Sequence, residues 1–295
     1  MQLETFCLVD SNEQESFDSV IAMAVYSQDR LDWVSDALQS LVDQTYKRLL
    51  IVVIIDGHIE HTLTEHLERT AKEQSNILLL KNAKNVGLSA SMNAVVDYVD
   101  KYQPKYFFRM DADDISQPDR VFKQVNYFEA HPKISILGSA LVEINEQGKK
   151  VGNRKLPLKH GEIVKFLPKR CSINHPTVGL RYQIFLDGHK YNELLANTQD
   201  YFFWIDLAHK GYKFANLPDK LLKFRRVNDF YKRRGLTKSI NEFKARFYAM
   251  QKLNKYSLGN LIYAFSVLVL RLMPSGLIKL AYKVDRYLLN KRFRH

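Results

Sequence analysis

The sequence has little cysteine and no long hydrophobic run, and each of these absences excludes a class of protein. Its two cysteines, Cys7 and Cys171, are too few for a disulfide framework, which favours a reducing compartment. No uninterrupted apolar stretch reaches the roughly 18 residues that a membrane-spanning helix needs. Residues 1–16 show no basic region followed by an apolar core, so we expect no signal peptide.

Two common phosphate-binding patterns are also missing. The sequence contains no G-x-G-x-x-G fingerprint of dinucleotide-binding domains and no G-K-[ST] of a P-loop. It has no internal repeat and no low-complexity stretch either. Any nucleotide bound by this chain must therefore be held by another kind of loop.

The composition is that of a globular protein with a basic surplus. Of 295 residues, 46% are hydrophobic and 26% are charged, which argues against global disorder. The 44 Lys and Arg exceed the 32 Asp and Glu, giving a net charge of +12. A surplus of this size indicates an anionic partner, which could be nucleic acid, anionic lipid or a phosphorylated substrate.

Short apolar runs alternate with segments of helical spacing. This alternation predicts an α/β fold with a mainly parallel sheet flanked by helices. The predicted strands are 19–26, 49–55, 77–80 and 105–110, and the predicted helices are 27–45, 61–74 and 89–99, followed by a further helix and strand within 119–145.

Polar residues follow three of these strands, at Tyr26, at Asp56 and at Asp111–Asp114. Ligands bind beyond the carboxyl ends of parallel strands, so we expect these residues to meet at one site. Asp111 and Asp113 can both reach one Mg²⁺ or Mn²⁺, although an isolated D-x-D is more often a solvated acidic turn. Asp56 can accept a hydrogen bond from a base or ribose, or can simply form a turn.

Three further positions are candidates for chemistry. Asn85 to Ser89 precede a helix containing Asn93, where free N–H groups can meet an anion, although an ordinary helix start explains the pattern as well. Asp200 is followed by four aromatic residues that would desolvate its carboxylate and strengthen it as a base, but it could equally be a helix cap. A lone His175 is more often structural than a ligand.

Taken together, the motifs resemble those of family 2 glycosyltransferases, which have the Rossmann-like GT-A fold of nucleotide-diphospho-sugar transferases. The resemblance extends over 19–235 and is strongest to transferases of the amylovoran-biosynthesis type, which build bacterial exopolysaccharides and O-antigens. The motifs are AVYSQDR (24–30), LVDQTYK (41–47), IIDGHIE (54–60), NVGLSASMN (85–93), RMDADDISQPDR (109–120), NHPTVGLR (174–181), TQDYFFW (198–204) and FANLPDKLLKFR (214–225).

The resemblance implies a role for each matching residue. Tyr26 would stack near the base, and Asp56 would read its N–H. Asp111 would approach the ribose and the metal, and Asp113 would hold the metal on the donor diphosphate. The remaining donor-binding candidates are Asn85, Asn93 and Arg109.

Asp200 would be the general base, with Gln199 where the family usually has Glu. The resemblance thus implies an inverting, metal-dependent transfer of sugar from a nucleotide-diphosphate sugar to a hydroxyl. The Q-x-x-R-W motif of processive enzymes is absent, which indicates that one sugar is added per encounter. Members of the family often act on acceptors anchored by a lipid diphosphate, in cell-surface polysaccharide synthesis.

We expect three regions: a polar leader at 1–18, the transferase domain at 19–235 and a basic, apolar helical extension at 236–295. The basic segment 225–238 could bind a diphosphate. The tail 255–295 suits a helix lying on an anionic bilayer, at the cytoplasmic face of the membrane, or else a helical pair packed on the domain.

The alternatives to a glycosyltransferase are a sugar-phosphate nucleotidyltransferase, which would need a Gly-rich basic loop, and a nucleic-acid-binding protein, which would need a reader motif. Neither feature is present.

Overall fold

The computed structural model describes residues 5–10, 17–227 and 236–272. Its strands are β1 (Thr5–Asp10), β2 (Ser19–Val25), β3 (Leu49–Asp56), β4 (Ile77–Asn82), β5 (Tyr106–Asp111), β6 (Ile115–Ser116), β7 (Ile134–Ile144), β8 (Lys150–Arg154), β9 (Gly179–Arg181) and β10 (Lys213–Arg225). Its α-helices are α1 (Leu31–Val42), α2 (His61–Glu73), α3 (Leu88–Val99), α4 (Arg120–Ala130), α5 (His160–Phe166), α6 (Gln183–Leu186), α7 (Gln199–His209), α8 (Leu236–Lys252) and α9 (Leu258–Leu272).

The strands form one sheet in the order β1-β4-β3-β2-β5-β9-β7-β10-β6, with β8 paired to β7. The central strands β4, β3, β2 and β5 are parallel, and so are β7 and β10. Strands β1, β6, β8 and β9 pair antiparallel with their neighbours. The predicted α/β fold is confirmed, and its first half has the parallel pairing that the alternation of strands and helices predicted.

Both faces of the central strands are buried, as expected for parallel strands covered by helices on each side. In β2, Val20 and Ala22 contribute to one apolar core, which also contains residues of α3 and α7. Ile21 and Met23 point to the other face, into a second core with residues of α1, α2 and α4. This double burial explains why the strands read as continuous apolar runs rather than as alternating ones.

The leader differs from its prediction. We expected 1–18 to be a loose polar segment, but β1 pairs antiparallel with β4, with Phe6 opposite Lys81. Strand β4 would otherwise leave its outer N–H and C=O groups unpaired at the sheet edge. The residues Thr5 to Val9 favour a strand, but the run is short and the segment around it is polar, so the sequence did not predict it.

The described part of the C-terminal extension is helical, as predicted. Helix α8 packs on the domain: Ala245 and Ala249 are buried, and Arg246 Nε donates to the Lys169 carbonyl at 2.8 Å. The part of the tail from 273 onward and most of the basic segment, 228–235, lie outside the described residues. None of the described helices is long and apolar enough to cross a membrane.

Candidate active site

The register of the central strands brings the predicted polar residues to one edge of the sheet. Asp111 lies opposite Ala24 in the pairing of β5 with β2, two residues before Tyr26. Val25 lies opposite Ile55, and Asp56 lies opposite Asn82. The ends of four parallel strands therefore form one row, with Tyr26 between Asp56 and Asp111.

Three carboxylates of the loop after β5 lie together. The ligand oxygens of Asp111, Asp113 and Asp114 are all within 4.8 Å of one another. Asp114 is fully buried, and its Oδ2 atom has no hydrogen-bond partner among the described residues. Burial, and then the negative charge of Asp111, raise the pKa of Asp113 to about 6. These oxygen donors fit Mg²⁺ or Mn²⁺, because a divalent cation would relieve the repulsion between them.

Arg225, at the end of β10, anchors this loop. Its backbone N–H donates to Asp114 Oδ1 and its Nε donates to the Asp113 carbonyl, both at 2.9 Å. Its guanidinium also lies 5.2 Å from the ring centroid of Trp33. The sequence grouped Arg225 with a basic segment that could bind a diphosphate, and that expectation is wrong for this residue. The side chain is buried, and it is used to hold the loop.

Two more arginines lie behind the loop. Arg109 is buried and pairs with Asp111. Arg120 is fully buried and donates from Nη2 to the Arg109 carbonyl at 2.8 Å, while burial lowers its pKa to about 9. Arg109 was predicted to contact the donor, but in the structure its contact with the site runs through Asp111. It therefore orients that carboxylate.

Asp56 organises the turn that precedes α3. Its Oδ1 accepts from the Val86 N–H at 2.9 Å and from Asn82 Nδ2 at 3.0 Å, and its Oδ2 accepts from the Gly87 N–H at 2.9 Å. A carboxylate offers about four acceptor positions, so about one remains for a ligand. Asn85 is exposed on the same turn and donates to the Asp56 carbonyl at 3.3 Å. The base-reading role of Asp56 stays a prediction, and the turn it holds is a second role.

Tyr26 lies half-buried directly after β2. Its N–H donates to Asp29 Oδ2 at 2.9 Å, which closes a short turn. Its hydroxyl lies 3.4 Å from Gln28 Oε1 on the exposed side. Tyr26 therefore lies in the strand-end row, and the stacking of its ring on a base stays a prediction.

The Asn93 side chain is bonded to the segment 191–193. Its Oδ1 accepts from the Tyr191 N–H at 3.0 Å, and its Nδ2 donates to the Tyr191 carbonyl at 2.9 Å and to Glu193 Oε1 at 2.8 Å. Because both amide hydrogens are used, this geometry argues against the predicted contact with the donor. Asn93 instead fixes the 191–193 segment that leads to α7.

Asp200 lies in the first turn of α7, and the helix cap is Thr198, whose φ is +65°. The cap alternative for Asp200 is therefore wrong. Burial raises the pKa of the Asp200 carboxyl, while the positive charges of Lys238 and Arg109 oppose this rise. Arg109 pairs directly with Asp111, and its positive charge also favours the ionised form of Asp200.

His175 has a structural environment. Its Nε2 lies 3.0 Å from the Tyr191 hydroxyl, and its ring meets Trp204 edge-on at 6.0 Å. Burial, and then Arg109, hold the pKa of His175 well below its usual range, so its ring is neutral at pH 7. These contacts favour the structural interpretation over metal or substrate binding.

Beside α7 lies a cavity of about 240 Å³. Aromatic and polar side chains share its wall, and the residues are Lys190, Asn192, Leu195, Phe202, Phe203, Asp206 and Tyr248. The Tyr248 hydroxyl donates to Asp206 Oδ1 at 2.5 Å. Helix α8, from the C-terminal extension, therefore completes a wall of this cavity.

Sequence reasoning missed the site roles of Asp114, Arg120 and Arg225. Asp114 and Arg120 are part of the RMDADDISQPDR motif, so their place in the motif was a signal. Arg225 ends the motif FANLPDKLLKFR, but its contact with the loop could not be found from the sequence, because its partner Asp113 is more than 100 residues away.

The fold and the site define a glycosyltransferase with a GT-A-like fold. Residues 20–187 match the family model described as Glycosyl transferase family 2. The match covers more than half of the chain, and the chain belongs to this family. Membership decides for the glycosyltransferase over the two alternatives that the sequence left open.

Curated relatives match nearly the whole chain. An uncharacterized glycosyltransferase of Haemophilus influenzae is 32% identical, with 89% of this chain and 97% of the relative covered. The amylovoran biosynthesis glycosyltransferase AmsE of Erwinia amylovora is 30% identical, with 90% and 98% covered. The UDP-Gal:alpha-D-GlcNAc-diphosphoundecaprenol beta-1,3-galactosyltransferase of Escherichia coli is 27% identical, with 89% and 94% covered.

Solved structures support the fold. TarS 1–349 of S. aureus in complex with UDP-GlcNAc superposes with a TM-score of 0.56 at 15% identity, covering 85% of this chain and 79% of that one. The mannosyltransferase PcManGT of Pyrobaculum calidifontis, in complex with GDP-Man and Mn²⁺, gives 0.55 at 13% identity, covering 98% and 85%.

Proposed function

We propose that this glycosyltransferase is inverting and metal-dependent, and that it moves one sugar from a nucleotide-diphosphate sugar to a hydroxyl of a lipid-linked saccharide in cell-surface polysaccharide synthesis. The observation that carries the proposal is the cluster of three carboxylates at the strand ends, whose oxygens fit a divalent cation.

The donor side is formed by the strand-end row. Tyr26 stacks on the base, and the acceptor position left on Asp56 takes a base N–H. Asp111 and Asp113 hold the divalent cation, with Asp114 buried behind them. When bound, this cation stabilises the negative charge that develops on the leaving diphosphate. Arg109 holds the Asp111 carboxylate, and Arg225 holds the loop through the Asp113 carbonyl and the Asp114 carboxylate, before the donor arrives.

On the acceptor side, Asp200 takes the proton of the attacking hydroxyl. The hydroxyl attacks the anomeric carbon on the face opposite the leaving diphosphate, so the configuration inverts. Burial favours this role, because a carboxylate with a raised pKa is a stronger base. Gln199 adds no charge beside it. The cavity lined by Phe202, Asp206 and Tyr248 is the position that we propose for the acceptor sugar.

The place of action follows from the acceptor. The Escherichia coli relative is named for a diphosphoundecaprenol-linked acceptor. We propose that this chain likewise meets a lipid-diphosphate-linked glycan, at the cytoplasmic face of the membrane. Its positive net charge supports contact with the anionic lipid surface there.

A thermal-shift panel tests the donor site. The protein is mixed with Mn²⁺ or Mg²⁺ and with UDP, GDP, dTDP or CMP, and then with their sugar conjugates. A ligand at about 100 times its Kd should stabilise the fold by roughly 2.7 kcal/mol. We expect a metal-dependent shift with one nucleotide and its loss in Asp113→Asn.

The matched control is Asp119→Asn, which removes an exposed carboxylate of the same segment. It should retain the shift. If no nucleotide shifts the folded protein, or if Asp113→Asn responds as the wild type does, the assigned donor site is wrong.

A further inference from the structure

Helix α9 shows one apolar face to solvent. Leu258, Ile262, Phe265 and Val269 are spaced four, three and four residues apart, so they form one stripe along the helix. Their exposed fractions are 74%, 57%, 53% and 51%. We call these four residues the α9 stripe. A contiguous apolar surface of this kind marks an interaction site, whereas scattered single residues do not.

The opposite side of α9 is already in use. Ala264, on that side, is buried, and Phe265, at the edge of the stripe, also meets the rings of Phe243 and Phe247 on α8, with ring centroids 5.2 and 6.0 Å apart. Helix α8 in turn is fixed to the domain through Arg246 and Tyr248. The α9 stripe is therefore carried by an anchored helix pair and faces outward.

The charge of the sequence segment around the stripe indicates which kind of partner binds there. Between Glu242 and Asp285 the sequence has no acidic residue, while its basic residues there are Lys244, Arg246, Lys252, Lys255, Arg271, Lys279 and Lys283. An apolar surface in an acid-free, basic segment matches a bilayer with anionic headgroups, which offers apolar depth and negative charge together. The described helix α9, Leu258–Leu272, has 15 residues, fewer than the roughly 20 that cross a bilayer, so this part of the chain suits a position in the membrane plane.

We propose that the α9 stripe docks on an anionic lipid surface and inserts Leu258, Ile262 and Val269 among the lipids. The lysines of this segment that the structure describes, Lys244, Lys252 and Lys255, meet the headgroups, whereas Arg246 is buried and bound to the domain. The proposal deepens the membrane association suggested under the proposed function, and it names the face that makes the contact. It also distributes the extension between two roles, since α8 packs on the domain and α9 meets the lipid.

Vesicle co-sedimentation of the full chain tests this. The vesicles are phosphatidylcholine alone, or phosphatidylcholine mixed with phosphatidylglycerol. The test variant is the double substitution Ile262→Asp with Val269→Asp. The matched control is Val151→Asp with Leu186→Asp, which places the same two charges at sites of similar exposure, 51% and 59%, on β8 and α6.

We expect the wild type to bind the anionic vesicles at least about tenfold more tightly than the neutral ones, and the stripe variant to lose at least about tenfold. The control should bind nearly as well as the wild type. The proposal is overturned if the wild type does not bind anionic vesicles more tightly than neutral ones. It is also overturned if both variants lose binding equally, or if the stripe variant only turns a dimer into a monomer in sedimentation.

A folding check separates these outcomes from the proposed function. Both variants should keep the wild-type circular dichroism spectrum and the metal-dependent nucleotide shift, since neither touches the strand-end row. If a variant loses vesicle binding but keeps the nucleotide-dependent thermal shift, the loss is a property of the stripe and not of the donor site. If the wild type shows no nucleotide-dependent thermal shift, the proposed donor site is contradicted and the proposal for the stripe is not.

Discussion

At the scale of single residues, burial decides which charged groups are available for chemistry. Arg109 and Arg225 are nearly inaccessible, and both are committed to the loop of the carboxylate cluster. Asp200 is desolvated as well, but its carboxylate lies in the first turn of a helix. The two arginines therefore position other groups, whereas burial raises the pKa of Asp200 and makes its carboxylate a stronger base.

The variant Asp200→Asn tests the base directly. It cannot accept the proton, so we expect turnover to fall by about 10²–10⁴-fold, the usual contribution of general base catalysis. Nucleotide binding should persist, because the donor contacts lie elsewhere. Steady-state kinetics and the thermal-shift assay measure the two effects. Normal turnover in Asp200→Asn would show that the base assignment is wrong.

The pH profile gives a second view of the same residue. Burial raises the pKa of Asp200, and only the deprotonated form can accept a proton. The rate should therefore fall with decreasing pH at a higher pH than an ordinary aspartate, with a pKa of about 3.9, would give. A profile of kcat/KM against pH measures this limb. A rate that stays flat down to about pH 4 would contradict a raised pKa.

At the scale of elements, the turns that follow the strands build the site. The backbone of the turn after β4 packs closely against Gly57, which is the residue directly after β3. Gly57 has a φ of +86°, and a Cβ there would lie 2.5 Å from the Asn85 backbone nitrogen. The Asp56 side chain holds the same turn through Val86 and Gly87. Strand end and turn are thus packed as one unit.

Gly57→Ala should disturb this unit. We expect it to lose at least about 2 kcal/mol of unfolding free energy, because positive φ costs about 1–3 kcal/mol in a non-glycine residue and the clash adds to it. Urea unfolding measures the loss, and nucleotide binding should weaken as the turn shifts.

Gly188→Ala is the matched control. Its φ is +84°, but nothing lies within 4 Å of an added Cβ. It should show the conformational cost alone and retain nucleotide binding. Equal losses in the two variants would mean that the close approach to Asn85 does not matter.

At the scale of the whole molecule, buried polar contacts join the two halves of the chain. His175 bonds to Tyr191 and packs against Trp204 in the core that also contains α3 and α8 residues. Asn93 reaches the same segment from α3. Charging a group in this core affects the stability of the whole fold.

The pKa of His175 is held well below its usual range by burial, so the unfolded chain takes up this proton first. Above about pH 6.5 neither state is protonated, and the full stability is present. As the pH falls below that value, only the unfolded state binds the proton, so this residue removes about 1.4 kcal/mol of stability per pH unit. Urea unfolding between neutral and acid pH measures the slope.

His175→Gln should make the slope shallower by that amount, whatever its effect on stability at neutral pH. His58→Gln, which removes an exposed imidazole, controls for the loss of a histidine as such. An unchanged slope in His175→Gln would show that this ring is already protonated in the folded protein.

Much of the fold follows from local patterns. Apolar runs and helical spacing predicted the strands β2, β3, β4 and β5 and the helices between them, although α1 is shorter than its predicted range of 27–45. Strand β1 was missed because the apolar pattern of a short edge strand is weak. The ranges of the transferase domain and the extension stay predictions.

For the site, the sequence by itself determined which residues stand at strand ends, because a side chain's place along a strand is a local property. It therefore predicted the row of Tyr26, Asp56 and Asp111. Only the tertiary structure decided what each side chain does there. Asn93 is bound to Tyr191, and Arg225 to the loop at Asp113, across about 100 residues of sequence. A hydrogen bond has only a few donors and acceptors to share, and which partner takes them depends on distant segments that folding brings together.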